Sequence, residues 1–138
     1  ARAQNLRARF ATYRDYSTAN ESRTHQRWAW HRFFQLYDVM ITPIMATPAF
    51  EHDHQPFGQR LIAVDGTQRP YFEQLFWAGL AINSYLPATI VPTGTLGNGL
   101  PVGVQIIGPE FGDLKVLRVA TLLEEEGLVF VPPPGYED

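Results

Sequence analysis

Apolar positions along the first third of the chain repeat at helical spacing. Ala3, Leu6, Phe10 and Tyr13 recur every three or four residues, so residues 2–15 are expected to form an amphipathic helix. Ser17, Thr18 and Asn20 are expected to break it, with Asn20 as N-cap and Glu21 in the first turn of a second helix. That helix runs to about Leu36 and carries Trp28, Trp30, Phe33 and Phe34, with Tyr37 just beyond, an aromatic load that calls for packing into a core. Asp38–Thr42 is a short apolar run stopped by Pro43, consistent with a buried strand. Residues 43–70 contain four prolines, two glycines and few consecutive apolar residues, and read as one long loop. Pro70 fits the first position of a third helix. Tyr71, Leu75, Trp77, Ala78 and Ile82 give that helix an apolar face, and its end is expected near Asn83.

The pattern then changes to short β-rich runs. Ala88–Val91 lies between Pro87 and Pro92, and Val102–Ile107 ends at Gly108–Pro109. Asn98–Gly99 between the runs is a turn signal, so the two are expected to pair as an antiparallel hairpin. Asp113 is the expected N-cap of a last helix, with Val116, Val119, Ala120 and Leu123 on one face and Gly127 closing it. The prolines of the tail, VFVPPPGYED, favour an extended chain. The expected fold class is α/β, or α+β for the chain taken alone. Helices pack on a small mixed sheet containing the hairpin, in the order α-α-β-α-β-β-α. The whole of 1–138 reads as one unit, with N-terminal helices over 1–36 and a core over 37–138.

Composition narrows the function. At 138 residues and 45% hydrophobic content the chain can bury a core, on the order of two-thirds of its unfolded surface. A net charge of −3 argues against nucleic-acid binding. Residues 1–32 nevertheless hold seven arginines against two acids, Asp15 and Glu21. Such a basic helix reads first as a solvated face or as a surface packed on an acidic neighbour. There is no cysteine, no apolar run near the ~20 residues that span a bilayer, and no signal-peptide pattern. A cytoplasmic protein without membrane partners is therefore expected. The chain starts at Ala1 inside a helical pattern, as expected of a piece of something longer.

Candidate chemistry is sparse. His52-Asp53-His54 offers two local ligands in a polar loop, with His25 and His31 on a helix, short of the converging set a zinc site needs. No metal and no cofactor are expected. Gly94, Gly97 and Gly99 form G-x-x-G-x-G leading into a strand, so they serve a hairpin connection and not a phosphate loop. The serines are Ser17, Ser22 and Ser84, and Lys115 is the sole lysine. None sits where an activated serine beside a neutral lysine would be built. The acidic run Glu124–Glu126 ends a helix and reads as a solvated end. No residue of this chain is expected to be catalytic.

Three blocks carry a resemblance. Residues 37–49, YDVMITPIMATPA, are similar to Y-D-v-l-l-T-P-t-x-p-x-P-A. Residues 86–109, LPATIVPTGTLGNGLPVGVQIIGP, resemble L-P-A-i-s-v-P-x-G followed by G-L-P-v-G-v-Q-i-i-G-P. Residues 111–124, FGDLKVLRVATLLE, resemble F-G-D/E-x-x-L-L-r-x-A-x-x-x-E. In that order, across roughly residues 28–126, they resemble the C-terminal portion of amidase-signature hydrolases.

The resemblance implies a mixed α/β sheet wrapped by helices. It also implies hydrolysis of a carboxamide through an acyl-serine formed by a Ser–cis-Ser–Lys triad, whose signature lies upstream of these segments. It implies a substrate-binding role for Thr42, Pro43, Ile44 and Met45, the last suited to an apolar acyl or aryl group. The same residues could equally just end a buried strand. Tyr85 replaces the glycine of the usual Gly-Leu-Pro-Ala and would alter substrate preference if it faced the pocket. Gln105 belongs to the motif, and a buried amide tying strands together accounts for it equally well. The expected function is the C-terminal part of an amidase, inert alone. A small-molecule amide is the partner of the full-length protein, and the isolated piece is expected to self-associate through uncovered apolar surface. The alternatives are membership of a tRNA-dependent amidotransferase complex, as one of its subunits, and a non-catalytic binding domain.

Overall fold

The computed structural model describes residues 9–97 and 99–136. Helix α1 spans Tyr13–Phe33 without interruption. The expected break at Ser17–Asn20 is absent. Of the first helix expected over 2–15, residues 2–8 lie outside the described residues, and the chain is not helical at residues 10–12, so the break comes there instead. The N-cap is Thr12, not Asn20. Thr12 and Asp15 form a capping box: the Thr12 hydroxyl accepts from the Asp15 amide at 3.3 Å, and Asp15 Oδ2 accepts from the Thr12 amide at 2.8 Å. Hydrogen bonds from the Thr12 hydroxyl first and its amide second hold the Asp15 carboxyl below its ordinary pKa. Ser17, Thr18 and Asn20 are exposed residues within α1, and further along it two hydroxyls bond backward to its carbonyls. Ser22 Oγ donates to the Thr18 carbonyl at 3.1 Å, and Thr24 Oγ1 to the Asn20 carbonyl at 3.0 Å.

Strand β1 is Met40–Pro43. Residues 43–70, expected to be loop throughout, contain a hairpin. Strands β2 (Leu61–Val64) and β3 (Thr67–Pro70) pair antiparallel about Asp65-Gly66, whose φ values of 48° and 74° are those of a tight hairpin turn. Pro70 is thus the last residue of a strand. A 3-10 turn over Tyr71–Gln74 follows it and leads into helix α2, Leu75–Ser84. Strands β4 (Ala88–Thr95) and β5 (Pro101–Ile107) form the expected antiparallel pair. Asn98 of the turn signal lies outside the described residues. Helix α3 spans Asp113–Glu125. Its N-cap is Gly112, and Asp113 is the first helical residue, where its charge still favours the helix end. The described tail beyond Leu128 has no helix or strand.

The α/β class holds, and within it every strand pairing among the described residues is antiparallel. The main sheet has the order β1-β5-β4, with Thr42 opposite Gln105 and Val91 opposite Val104. Strand alternation gives the central β5 two buried faces. Ile106, wholly buried, packs with Val91 and with Val116 of α3, joined by Val119, Ala120, Leu123 and Leu128. Gln105 and Ile107 point to the opposite face, toward α2. Close approach of α3 to the sheet depends on Gly108, where an added Cβ would lie 2.4 Å from Val116 Cγ1.

Both α2 and α3 end in the same motif. In α3, Gly127 (φ 99°) donates to the Glu124 carbonyl and Leu128 to the Leu123 carbonyl. In α2, Tyr85 (φ 57°) donates to Ile82 and Leu86 to Ala81. The left-handed position that glycine fills in one helix is filled by tyrosine in the other.

Candidate functional site

The sheet face toward α2 carries a buried polar net. Gln105 Nε2 donates to Thr42 Oγ1 at 2.9 Å, to the Trp77 carbonyl at 2.9 Å and to the Pro43 carbonyl at 3.3 Å. Thr42 Oγ1 also donates to the Pro43 carbonyl at 3.0 Å. Gln105 and Thr42 are 5% and 4% exposed, so these groups exchange water only for one another. One side chain of β5 thereby fixes the end of β1 and the first turn of α2. A second buried carboxamide works nearby: Gln74 Oε1 accepts from the Ala46 amide at 3.1 Å. The loop leaving β1 is fastened at Thr42–Pro43 and again at Ala46.

This fastened loop lines two clefts. The smaller, about 470 Å³, is formed by residues 43–50 over Pro101, Val102 and Gly103 at the start of β5. Met45 and Phe50 present apolar surface there. The larger, about 860 Å³, lies between α1, α2 and the β2–β3 hairpin. Trp30, Phe72, Phe76 and Leu80 are among its walls, with Gln26, Asn83 and the Arg69–Glu73 ion pair (2.8 Å) supplying polar groups. Ala46 lines both clefts. Their volumes and mostly apolar walls with a few polar groups are those of small-molecule sites.

Of the residues expected to bind substrate, Pro43, Ile44 and Met45 come together in the smaller cleft. Thr42 is buried behind them in the hydrogen-bonded net. Tyr85 is not brought to this group and lines neither cleft. Its ring lies under two guanidinium groups of α1, with Arg23 Cζ 4.7 Å and Arg27 Cζ 5.3 Å from the centroid. Arg27 also pairs with Glu110, in the loop after β5.

Sequence reasoning missed Gln74, Thr47 and Phe50. Asp65-Gly66 was a readable hairpin signal, but no pattern marks a single glutamine as a buried clamp. The Thr47 hydroxyl oxygen is buried in the loop without a hydrogen-bond partner among the described residues.

No serine–lysine arrangement forms among the described residues. Ser84 is buried at the end of α2, while Lys115 Nζ pairs with Asp38 Oδ1 at 2.8 Å beside α3. This pairing lowers the Asp38 pKa through the hydrogen bond first and the charge second. His52 and His54 meet edge to face at 6.3 Å, and no group of three or more metal-ligating side chains is assembled among the described residues. No helix among them is long and apolar enough to cross a membrane.

The motif glutamine and the Thr-Pro loop that it clamps come from two of the three blocks that resemble amidase-signature enzymes, and they meet in one helix-covered sheet beside a small apolar cleft. The chain belongs to the Amidase family, whose sequence model matches residues 1–117. It is 34% identical over 110 residues to the A subunit of glutamyl-tRNA(Gln) amidotransferase from Halothermothrix orenii, covering 80% of this chain and 21% of that protein. The chain thus spans about a fifth of the length of that curated relative. A crystal structure of an amidase superposes with a TM-score of 0.72 at 24% identity, over 88% of this chain and 27% of the other, which shows the shared fold. The A subunit of the Thermotoga maritima glutamyl-tRNA(Gln) amidotransferase superposes with a TM-score of 0.57 at 27% identity, over 90% and 26% of the two chains.

Proposed function

We propose that this chain is the C-terminal part of an amidase-signature hydrolase and supplies one wall of its carboxamide pocket. Pro43, Ile44 and Met45 line that wall, and Thr42 holds it in place. The observation that carries the reading is the clamp: Gln105 fixes the Thr-Pro loop at two acceptors and α2 at a third, while Met45 and Phe50 remain open to the smaller cleft. An apolar acyl or aryl group fits such walls. The nucleophilic serine, its cis-serine partner and the lysine belong to sequence outside these 138 residues. Nucleophilic attack on the amide carbonyl would release amine or ammonia, and water would then free the acid from the acyl-serine. Tyr85 stands outside this reading, its ring being engaged by α1.

Two measurements test it. Simple aliphatic and aryl amides incubated with the isolated chain should show no turnover, and robust hydrolysis would refute the assignment of the triad elsewhere. In an enzyme containing the upstream segment, Met45→Ala should change kcat/KM among acyl groups of different size by roughly tenfold, the scale of a methylene or two in an apolar pocket. Equal rates for all acyl groups in both forms would remove Met45 from the pocket. Exposed Phe72, Phe76, Ile82 and Ile90 also favour self-association of the isolated chain, which sedimentation would report as a mass above 15.6 kDa.

The relatives favour a second reading, that the parent protein is one component of a tRNA-dependent amidotransferase, because two of them are A subunits of glutamyl-tRNA(Gln) amidotransferases. Co-purification of the parent protein with partner subunits would select it over a free-standing amidase.

A further inference from the structure

Helix α1 is long, yet none of its residues is buried. Two clefts run along its seam with α2, the larger one and a second of about 280 Å³, and Gln26 and Asn83 border both. A helix that leaves such gaps against its neighbour gains little from apolar burial. Among the described residues, the polar and cation–π contacts that α1 makes with the rest of the chain, beyond its own flanking residues, gather at one point. Arg23 and Arg27 lie over the Tyr85 ring at 4.7 and 5.3 Å, and Arg27 pairs with Glu110. This point joins three separate segments: α1, the end of α2 and the loop after β5. It is imperfectly satisfied, since Arg27 Nε is buried without a hydrogen-bond partner among the described residues. Tyr85 itself occupies a left-handed backbone position that favours glycine.

We propose that α1 is an arm closed over the larger cleft by an electrostatic clasp, with Arg27 as its pin and Tyr85 and Glu110 as its seat. Opening the clasp swings Gln26 and Trp30 away from the cleft while leaving the β1-β5-β4 sheet and α3 intact. The contacts of the clasp are ionic or cation–π and lie at least partly in solvent, so they weaken as salt rises. The fold then holds two populations, arm closed and arm open, whose ratio follows ionic strength.

Hydrogen–deuterium exchange of the full chain, read by mass spectrometry, tests this. Glu110→Gln removes the ion pair and Tyr85→Leu removes the cation–π seat. Each should speed exchange in peptides covering 13–33 about fivefold, the size of one such exposed contact, with β5 and α3 unchanged. Raising salt from about 0.05 to 0.5 M, which shortens the screening length about threefold, should do the same to the unaltered chain. Glu21→Gln, an exposed charge on α1 away from the clasp, should have no effect. Unchanged α1 exchange in both clasp variants would overturn the proposal. So would acceleration spread equally over α1, β5 and α3, which would report loss of the whole fold.

Discussion

Replacing Gln105 isolates the clamp that positions the Thr-Pro loop. Methionine has nearly the shape of glutamine but no donors, so Gln105→Met removes the bonds to Thr42 Oγ1, Trp77 O and Pro43 O while leaving little cavity. Pro43 O keeps the Thr42 hydroxyl as donor at 3.0 Å, so the losses are not threefold. A buried polar group left without its partner costs ~1–3 kcal/mol, which sets the expected destabilisation near ~2 kcal/mol. Thermal unfolding should register this as a fall of roughly 5–10 °C for a domain of this size.

Gln105→Glu keeps the volume and reverses the chemistry. Its carboxylate faces two carbonyl oxygens in a site only 5% exposed, and an uncompensated charge there costs ~3–5 kcal/mol. Burial raises the carboxyl pKa in the folded state above that of the unfolded chain. The folded form therefore prefers the protonated acid. The deficit relative to Gln105 is small below the unfolded pKa, grows as pH rises toward the folded pKa, and is complete above it. Urea unfolding of both variants and the unaltered chain at a series of pH values reads these differences. A Met variant as stable as the parent, or a Glu variant with a deficit independent of pH, would refute the account of a buried donor clamp.

Other expectations follow from the same geometry. Gly108→Ala places a methyl 2.4 Å from Val116 Cγ1 and should destabilise by ~1–3 kcal/mol. Adding Val116→Ala should recover part of that loss in a double-mutant cycle. Thr12→Ala removes the N-cap of α1 and should reduce its helicity by circular dichroism, at a cost of ~1 kcal/mol. Asp38 should titrate below its ordinary value of 3.8, so its pairing with Lys115 is present above that value and is lost as pH falls through the lowered one. Lys115→Met should return the Asp38 titration, followed by NMR, to the ordinary range, and an unchanged titration would exclude the pairing.

The β4–β5 hairpin and α3 were legible because burial and period agree. Ile106 and Val91 face one layer, and Val116, Val119 and Ala120 answer them at helical spacing. The β2–β3 hairpin escaped because hydrophobic pattern gives β3 no signal: all four of its residues are exposed, and only Asp65-Gly66 marks the turn. The supposed break in α1 failed for a different reason. Thr12 and Asp15 cap the helix upstream, and Ser17, Thr18 and Asn20 are polar residues on its exposed surface, which a capped helix carries without a break. At the candidate site, the motif letters single out Thr42–Met45, of which Pro43, Ile44 and Met45 line the smaller cleft. The letters do not single out Gln74, because its role depends on a contact 28 positions away with Ala46. Tyr85 stands out in the sequence as a departure from the motif's glycine, but its backbone conformation and its arginine partners are products of tertiary structure.

Ala46 lines both clefts, and its amide is held by Gln74. The two spaces are therefore neighbouring rooms that have one residue of wall in common. A substitution at 46 acts on a wall that both rooms use. Independent adjustment has to come from residues that belong to one room alone, Met45 for the smaller and Phe76 for the larger. An engineer, or natural selection, changing the ligand of one cleft would leave the shared residue untouched and redecorate the far walls.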